Sequence, residues 1–345
     1  MSLQTQFEKF HDKIKLDSDT KDELRAKRDI LIKILRNSGD IPSFEEFSQG
    51  SYGLYLGVEP VEGREYDIDV GLRFNVDKKD YKPLDLKKKI RDVLKDHTDY
   101  GAEIKKPCVT VTYKKSGEKA FHVDLVTYTY EDKDNDDSQM YLALGKESSE
   151  DKDIRWDKAD PVKLLDYISD TIVDQKEREQ YRRVVKYLKR WKHLKFSDTG
   201  HAEPPSIGLT LLALYDFLAY DGNDLEALVY TVTAIKNRFT AKEYVNGRWL
   251  YAICCSMPRG LRFETGNNAF EKMTLVQMTN FKDKLEKLAD DLSEVKNEAD
   301  LIKQCKKLRQ IFGEDFEVPE EKEVSRKQQN YIPHSTASGS IYESE

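Results

Sequence analysis

Two aspartates spaced two positions apart carry the clearest chemical signal in this sequence. Asp67-Ile68-Asp69-Val70 alternates acidic and apolar residues, and this period of two predicts a half-buried strand with both carboxylates on one face. Carboxylates about 6–7 Å apart along a strand repel each other, and a divalent cation removes that repulsion. Such oxygen ligands suit Mg²⁺, which also takes ligands from substrate phosphates and water. The alternative is an amphipathic strand that shows its acids to solvent.

A small-residue turn precedes this strand. Gly50 and Ser51 offer a backbone that a phosphate can approach closely, with free N–H groups and a hydroxyl to hold it. We predict that Gly50 and Ser51, together with the adjacent Gln49, bind a nucleotide, and that the β- and γ-phosphates lie against Gly50 and Ser51. A plain turn without a ligand is the alternative interpretation.

A third acid lies on a second alternating stretch, Phe121 to Thr127. Its period of two places His122 and Asp124 on the same face. If this strand pairs beside the first, Asp124 joins Asp67 and Asp69 in one carboxylate cluster. We expect His122 to be a hydrogen-bonding neighbour of the cluster, because two metal ions remove the need for a general base. A solvated strand acid is the alternative for Asp124.

The Gly-Ser turn, the Asp-x-Asp strand and the later strand Asp together resemble the DNA polymerase β-like nucleotidyltransferase superfamily. Two further stretches, Arg183 to Lys189 and Pro204 to Leu212, are similar to the helices of 2′-5′-oligoadenylate synthases and cyclic GMP-AMP synthase. Among the relatives of these enzymes, the bacterial CD-NTases of CBASS anti-phage systems match best in size and spacing. The resemblance covers roughly residues 40 to 312.

The resemblance implies an α+β fold with two lobes. A polymerase β-like nucleotidyltransferase lobe with a mixed or antiparallel catalytic sheet is joined to a helical C-terminal lobe. We predict that residues 1–160 form the catalytic lobe with an N-terminal spine helix behind the sheet. Residues 161–313 then form the helical lobe that closes the nucleotide cleft, and residues 314–345 form a flexible tail.

The resemblance also implies the metal ligands and their ions. Asp67 and Asp69 would hold Mg²⁺ on a nucleoside triphosphate, and Asp124 would help to hold a second Mg²⁺ that activates an acceptor hydroxyl. Mn²⁺ can substitute for either ion. These aspartates are therefore both the predicted catalytic residues and the predicted metal ligands.

Three further residues are assigned to nucleotide binding by the resemblance. Lys186 aligns with the lysine that grips the triphosphate, although a solvated charge face also explains it. Ser206 aligns with a position that contacts phosphate or base, although it could simply cap a helix. Ile207 replaces a tyrosine that stacks on a nucleobase in the vertebrate enzymes, so purine selectivity cannot be inherited from that position.

The predicted activity is Mg²⁺-dependent joining of ATP, GTP or other ribonucleoside triphosphates into a cyclic di- or trinucleotide second messenger. By resemblance, the product activates a separate CBASS effector during anti-phage defence, and the C-terminal tail is a candidate for a conjugation or regulatory partner. Two alternatives remain open. One is a nucleotidyltransferase that modifies a small molecule, a protein or an RNA end, and the other is a silent nucleotide-binding module.

Composition limits the other function classes. The formal charge of −7 argues against a broad nucleic-acid-binding surface, and the basic stretch from Lys176 to Lys195 suits a small polyanion better than a polymer. No apolar run suggests a membrane span or a signal peptide, so we expect a cytoplasmic protein. The pair Cys254-Cys255 is expected to pack in apolar surroundings, since no further ligands follow at zinc-site spacing.

Local patterns predict the elements that position these residues. An antiparallel strand pair, Val109–Tyr113 with Ala120–Tyr128, turns at Lys115–Glu118 and would deliver Asp124 to the cluster. A capping box starts a helix at Thr20, and a short helix begins at Tyr52. The remaining predicted helices cover residues 3–14, 84–94, a segment opening at Pro161, 175–195, 205–219, 225–239, 274–292 and 299–312.

Overall fold

The computed structural model describes residues 2–114, 121–135, 137–200, 202–263 and 267–321. In these residues the chain forms a seven-stranded sheet, a two-stranded hairpin and ten α-helices. The helices are α1 Leu3–Ile14, α2 Ser18–Asn37, α3 Gly50–Gly53, α4 Pro83–Leu94, α5 Pro161–Asp170, α6 Gln175–Lys195, α7 Ser206–Asp216, α8 Asp224–Lys236, α9 Leu275–Asn297 and α10 Leu301–Phe312. The strands of the large sheet are β1 Phe44–Ser48, β2 Tyr66–Asp77, β3 Ala102–Ile104, β4 Cys108–Tyr113, β5 Phe121–Tyr130, β6 Met140–Leu144 and β7 Arg155–Ala159. A separate hairpin consists of β8 Thr240–Val245 and β9 Arg248–Ala252.

The large sheet is mixed, as the resemblance implies. Its main order is β1-β2-β5-β4-β3, and β6 extends it by pairing with both the end of β5 and β7. Strands β2 and β5 run parallel, whereas β4 pairs with β5 in antiparallel register, as the sequence predicts. The predicted turn at Lys115–Glu118 lies outside the described residues. The two strands that carry the acids are therefore direct neighbours.

Two hydrophobic cores support this arrangement. The first lies between the large sheet and helices α2 and α4, and it includes Leu24, Leu31, Ile68, Leu86 and Val123. The second fills the space among helices α5 to α10. Along β2 and β5 the residues alternate between this core and the opposite face, which carries the carboxylates. That opposite face also holds a smaller apolar cluster with Cys108, Val126 and Tyr128.

Helix α1 belongs to the second core, whereas the predicted boundary at residue 160 places it in the catalytic lobe. Phe7 and Phe10 are fully buried, and both rings lie 5.3 Å from the ring of Tyr187 on α6. Burying two aromatic side chains stabilises the fold by several kcal/mol, roughly 1.5–3 kcal/mol each. The apolar stripe of α1 therefore packs against helices, and α2 is the N-terminal helix that covers the sheet.

The segment after α10 is also part of the second core. Phe316 is fully buried against Phe7 and Phe10, and Asp315 lies 3.4 Å from the guanidinium of Arg190. The predicted tail therefore begins too early at residue 314, because an aromatic anchor holds the following residues. Residues 322–345 of the predicted tail lie outside the described residues.

Other local predictions differ in detail. Helix α2 begins at Ser18, because the Asp17 side chain accepts a hydrogen bond from the Thr20 amide at 2.7 Å and caps the helix three residues early. Helix α3 begins at Gly50, two residues before its predicted start. The hairpin β8–β9 is absent from the predictions, although Asn246-Gly247 at its tip is a common hairpin turn. Cys255 is buried as expected, whereas Cys254 is exposed.

None of the helices in the described residues is both long enough and apolar enough to cross a membrane.

Candidate active site

Strand register brings the three predicted acids together. In the parallel pairing of β2 with β5, Asp69 lies directly opposite Asp124, and Asp67 precedes Asp69 on the same face. Oxygen atoms of the three carboxylates all lie within 4.8 Å of one another. The hydroxyl of Thr110, which is opposite Asp124 on β4, donates a hydrogen bond to the Asp124 carboxylate. Three strands thus hold the cluster in place.

Gly50 lies against the cluster for a steric reason that the sequence did not reveal. A Cβ atom at this position would lie 2.0 Å from Oδ2 of Asp69, and Gly50 has a positive φ of 62°. The adjacent Gln49 amide donates to the carbonyl oxygen of Asp69 at 3.2 Å. Glycine is therefore required for the turn to approach the carboxylate, in addition to the predicted approach of a phosphate.

Two cavities meet at the carboxylates. One, of about 400 Å³, is mainly apolar, and the other, of about 380 Å³, is mainly polar. Four residues line both cavities: Ser51, Asp67, Lys189 and Ser206. Of the other predicted site residues, Gln49, Gly50, Asp69 and Ile207 line the apolar cavity. The structure therefore brings nearly all predicted site residues to one cleft.

Two predicted site residues line neither cavity. Asp124 belongs to the cleft through the carboxylate cluster, whereas Lys186 lies elsewhere. It lines a third cavity, together with residues of α2 and α3, and its Nζ lies 3.2 Å from Nε2 of His11. Lysines at the cleft come instead from later turns of the same helix, α6. Lys189 lines both cavities, and Lys192 lines the polar one. Lys186 lies about one turn before Lys189 on α6 and lines the third cavity instead.

The two lysines of the cleft are buried and held in place. Lys189 donates to the carbonyl oxygen of Leu56 at 2.7 Å, and Lys192 donates to Oγ of Ser206 at 2.9 Å and to Glu203 at 3.0 Å. Burial, assisted by the neighbouring lysines, lowers the pKa of Lys189 to about 7. Lys189 and Lys192 are three residues apart on α6 and so share a helix face, but Lys186 and Lys189 have the same spacing, so this signal alone does not select the pair at the cleft.

The carboxylate cluster carries more negative charge than the protein compensates. Burial, followed by repulsion from Asp69 and Asp124, raises the pKa of Asp67 to about 8. Burial and repulsion from Asp124 raise the pKa of Asp69 to about 6, and the charge of Lys189 opposes this rise. Solvent still reaches Asp67 at the mouth of the cleft, but the cleft walls displace most of the surrounding water.

This donor set fits a divalent metal ion. Three carboxylates offer only oxygen atoms, and hard cations such as Mg²⁺ prefer oxygen ligands. A bound cation would favour the ionised carboxylates and oppose the burial and repulsion that raise the pKa values of Asp67 and Asp69. His122 stands beside the cluster, where it contacts Glu65 and lies 3.1 Å from Oγ1 of Thr112. Its hydrogen-bonding partners are thus Glu65 and Thr112, whereas the prediction was a hydrogen-bonding neighbour of the cluster.

Sequence comparisons match the part of the chain that carries the site. Residues 44–128 match the family described as cyclic GMP-AMP synthase DncV-like, nucleotidyltransferase domain. A cyclic GMP-AMP synthase of Escherichia albertii is 25% identical over 190 residues, which are 54% of this chain and 40% of that protein. The match therefore spans less than half the length of that relative.

Solved structures resemble nearly the whole chain. The Bradyrhizobium diazoefficiens CD-NTase CdnG in complex with GTP has a TM-score of 0.69 at 14% identity, covering 96% of this chain and 98% of that chain. The apo form of Vibrio cholerae DncV has a TM-score of 0.68 at 18% identity, covering 89% and 92%. DncV in complex with the linear intermediate 5′ pppA(3′,5′)pG has a TM-score of 0.66 at 17% identity, covering 88% and 93%.

Together these comparisons confirm the predicted resemblance to the CD-NTases and the predicted α+β fold. At such low identities the likeness to solved structures establishes the fold alone. The family match adds that residues 44–128 resemble a nucleotidyltransferase domain. These residues include Gly50, Ser51, Asp67, Asp69 and Asp124.

Proposed function

We propose that this chain, whose residues 44–128 match a DncV-like nucleotidyltransferase domain, joins ribonucleoside triphosphates into a cyclic di- or trinucleotide and releases pyrophosphate. The observation that carries the proposal is the carboxylate cluster of Asp67, Asp69 and Asp124 at the junction of two cavities. The protein places too little positive charge beside these carboxylates to balance them, and a divalent cation bound to the nucleotide would supply the missing charge.

The metal chemistry follows from the ligand set. In the proposed arrangement Asp67 and Asp69 hold one Mg²⁺ at the triphosphate, and Asp124 helps to hold a second near the acceptor hydroxyl. When bound, the two ions stabilise the attacking and leaving oxygens of an in-line displacement. Mn²⁺ has similar ligand preferences and is expected to substitute. Thr110 holds one oxygen of Asp124 by a hydrogen bond, which orients the other oxygen toward the cleft.

The polar cavity is the proposed site of the triphosphate. Ser51 presents its hydroxyl there, and the ammonium groups of Lys189 and Lys192 offset the phosphate charge. Arg64 lines the same cavity and is held by Glu203, which also accepts a hydrogen bond from Lys192. A shared carboxylate thus fixes two of the cations in position before a nucleotide arrives.

The apolar cavity is the proposed site of a nucleobase. Ile207 and the α5 side chains Leu164, Leu165 and Ile168 line it, so an aliphatic surface replaces the stacking tyrosine of the vertebrate enzymes. Gln49 provides a polar contact, because its Oε1 accepts a hydrogen bond from Tyr128 and leaves its amide group as a donor.

The nucleotides bound in the similar structures support this assignment. CdnG is described in complex with GTP, and DncV with a linear intermediate that contains both adenosine and guanosine. We therefore propose ATP and GTP as substrates of this chain. We further propose a cytoplasmic enzyme whose cyclic product acts as a second messenger for a CBASS effector in antiviral defence. A conjugation or regulatory partner at the C-terminal tail completes the proposal.

Product analysis tests the proposed activity directly. The purified chain is incubated with the four ribonucleoside triphosphates and Mg²⁺ or Mn²⁺, treated with phosphatase, and analysed by mass spectrometry. We expect a phosphatase-resistant cyclic product whose mass identifies its bases. The Asp69→Asn variant should form none. Glu103→Gln is a matched control, since Glu103 is an exposed carboxylate on β3 of the same sheet, and this variant should retain activity.

Other products would redirect the assignment. Pyrophosphate release with only linear or protein-linked products would contradict cyclisation and favour a transferase that modifies another acceptor. Nucleotide binding without any turnover, with either metal ion, would favour a silent nucleotide-binding module.

A further inference from the structure

A third cavity lies between the start of α2, α3 and α6, and it is lined by cations. Its volume is about 330 Å³, within the range of roughly 300–1,000 Å³ that is typical of small-molecule sites. No carboxylate is among its described lining residues. Its positively charged lining residues are Lys15, Lys21, Arg25, Arg28 and Lys186.

Lys186 is the most deeply placed of these cations. It is only 9% exposed, and no described carboxylate lies within ion-pair distance of its ammonium group, whose recorded hydrogen-bonding neighbour is His11. Burial, followed by repulsion from Lys21 and Arg182, lowers the pKa of Lys186 to about 8. A buried ammonium group surrounded by other cations is costly, and an anion in the cavity would remove that cost.

The pKa of His11 reflects the same positive environment. Burial and the charge of Lys186 lower the pKa of His11 to about 4, so its imidazole is neutral at physiological pH. A neutral ring beside Lys186 cannot compensate the ammonium charge. The positive field of the cavity therefore comes from several residues on different elements.

Nearby acids compensate this charge only weakly. Three of the lining cations contact carboxylates on α1 and α2, but these carboxylates are 64–72% exposed and lie at the surface. Such exposed ion pairs contribute only about 0–1 kcal/mol and are screened by salt. The pairs are Lys15 with Asp12, Arg25 with Asp22, and Arg28 with Asp29.

Neutral donors complete the cavity. Arg25 donates from Nε to the hydroxyl oxygen of Tyr52 at 2.6 Å, which leaves the Tyr52 hydroxyl hydrogen free to donate to a ligand. Ser48 also lines the cavity. At its edge Arg182 lies over the ring of exposed Tyr55, 5.1 Å from the ring centroid.

We propose that this cavity is a binding site for a small oligophosphate anion. It adjoins the polar cavity of the nucleotide cleft, with which it shares Leu16 and Gly57, but its cations are different residues. Five convergent cations require a ligand with several negative charges, and each phosphate group supplies about −1.5 to −2 in a small volume. The guanidinium groups of Arg25 and Arg28 are suited to bidentate contacts with phosphate oxygens. None of Asp67, Asp69 and Asp124 lines this cavity, so its ligand does not need the catalytic metal ions.

Calorimetric titration with inorganic tripolyphosphate tests the site without turnover, and so independently of the proposed enzymatic activity. In metal-free buffer of low ionic strength, the wild-type chain should show two classes of site. Lys192→Ala should weaken the class that belongs to the nucleotide cleft. Lys21→Glu should weaken the other class at least tenfold, because it reverses a charge that has no recorded carboxylate partner.

Two further variants keep the result interpretable. Lys33→Glu makes the same charge reversal at an exposed position of α2 that is not part of the cavity, and it should bind tripolyphosphate as the wild type does. Lys186→Met removes the buried charge and should weaken the same class as Lys21→Glu. Circular dichroism of each variant establishes that it is folded.

Several outcomes would overturn the proposal. One is a single class of site that Lys192→Ala abolishes and Lys21→Glu leaves unchanged. Another is the absence of tripolyphosphate binding at this cavity together with binding of a short nucleic-acid duplex that depends on Lys21 and Lys186. That result would indicate a surface that binds a polymer. Titration with citrate tests whether the cavity prefers phosphate groups to carboxylates. Binding of citrate as tight as that of tripolyphosphate would contradict the proposal.

Discussion

The buried carboxylate of Asp224 and the carboxylate cluster of the cleft differ in how their negative charge is compensated. Asp224, in the helical core, is fully buried and accepts two hydrogen bonds from the Arg183 guanidinium at 2.7 and 2.8 Å. Tyr187 and Gln180 donate to the same carboxylate at 2.8 and 3.1 Å. Burial alone would raise the pKa of Asp224, but these hydrogen bonds and the Arg183 charge outweigh it and keep the pKa below its usual value.

The cluster of Asp67, Asp69 and Asp124 has no comparable partner. Lys189, a buried lysine that lines both cavities, donates its hydrogen bond to the backbone carbonyl of Leu56, and burial and mutual repulsion raise the pKa values of Asp67 and Asp69. A carboxylate that receives its counter-charge from the protein stabilises the fold. One that lacks it is ready to receive a cation from solution, at a cost in stability, and this difference separates a structural site from a candidate active site.

The largest effect is expected from removing a metal ligand. Asp124→Asn keeps the side-chain volume but removes its charge, and we expect product formation to fall by about 10³-fold or more, since bound ions supply several kcal/mol of transition-state stabilisation. Initial rates of pyrophosphate release measure this change. The thermal unfolding temperature serves as a control, because the variant should remain folded. Activity within tenfold of the wild type would remove Asp124 from the metal site.

A smaller effect, on stability rather than turnover, is expected at Asp224. Asp224→Ala leaves the Arg183 guanidinium partly buried without its partner, and the free energy of unfolding should fall by about 3–5 kcal/mol. Urea denaturation followed by fluorescence measures the loss. The double variant Arg183→Met/Asp224→Leu should recover part of this stability, since it removes both charges. A single variant as stable as the wild type would contradict the structural assignment of this pair.

A third variant is expected to stabilise the protein. The folded state keeps Asp67 protonated up to a pKa of about 8, whereas the unfolded chain releases that proton near 3.8, so the folded state binds more protons in this window. The metal-free protein should therefore lose stability as pH rises from about 4 to about 8.

The substitution Asp67→Asn removes this titration, and it should raise the unfolding temperature of the metal-free protein at pH 8 by a few degrees. At pH 4 the difference should disappear. Scanning calorimetry in chelator-treated buffer measures both. A wild-type protein that gains stability between pH 4 and pH 8 relative to the variant would reverse the sign and contradict the electrostatic account of the cluster.

The smallest expected effect separates the lysines of α6. Lys192→Ala should raise the KM for nucleoside triphosphate about tenfold, roughly 1.4 kcal/mol of lost phosphate contact, and Lys192→Arg should recover part of the loss. Lys186→Ala should change KM less, because Lys186 lines a different cavity. Steady-state kinetics with saturating Mg²⁺ measure the three values. A larger KM effect at Lys186 would restore the assignment made from the sequence.

Local patterns in the sequence were sufficient to predict the strands that carry the carboxylates and the positions of most helices. Alternation placed Asp67, Asp69 and Asp124 on strands with the correct faces, because the side-chain period of a strand depends only on its backbone. Helix α6 was predicted with the bounds Gln175–Lys195 that the structure has. The Gly-Ser turn and the acids at family spacing then indicated nucleotidyl transfer before any fold was known.

Contacts between distant segments determined the features that the sequence patterns did not predict. Whether Lys186, Lys189 or Lys192 faces the carboxylates depends on the rotation of α6 against the sheet, which packing of Tyr187 and its neighbours determines. The aromatic rings of α1 and Phe316 joined the helical core because they meet there, and no local pattern specifies that partner. Gly50 is likewise required by Asp69, which lies far along the chain. Periodicity is a property of one segment, whereas burial and charge compensation belong to the assembled fold.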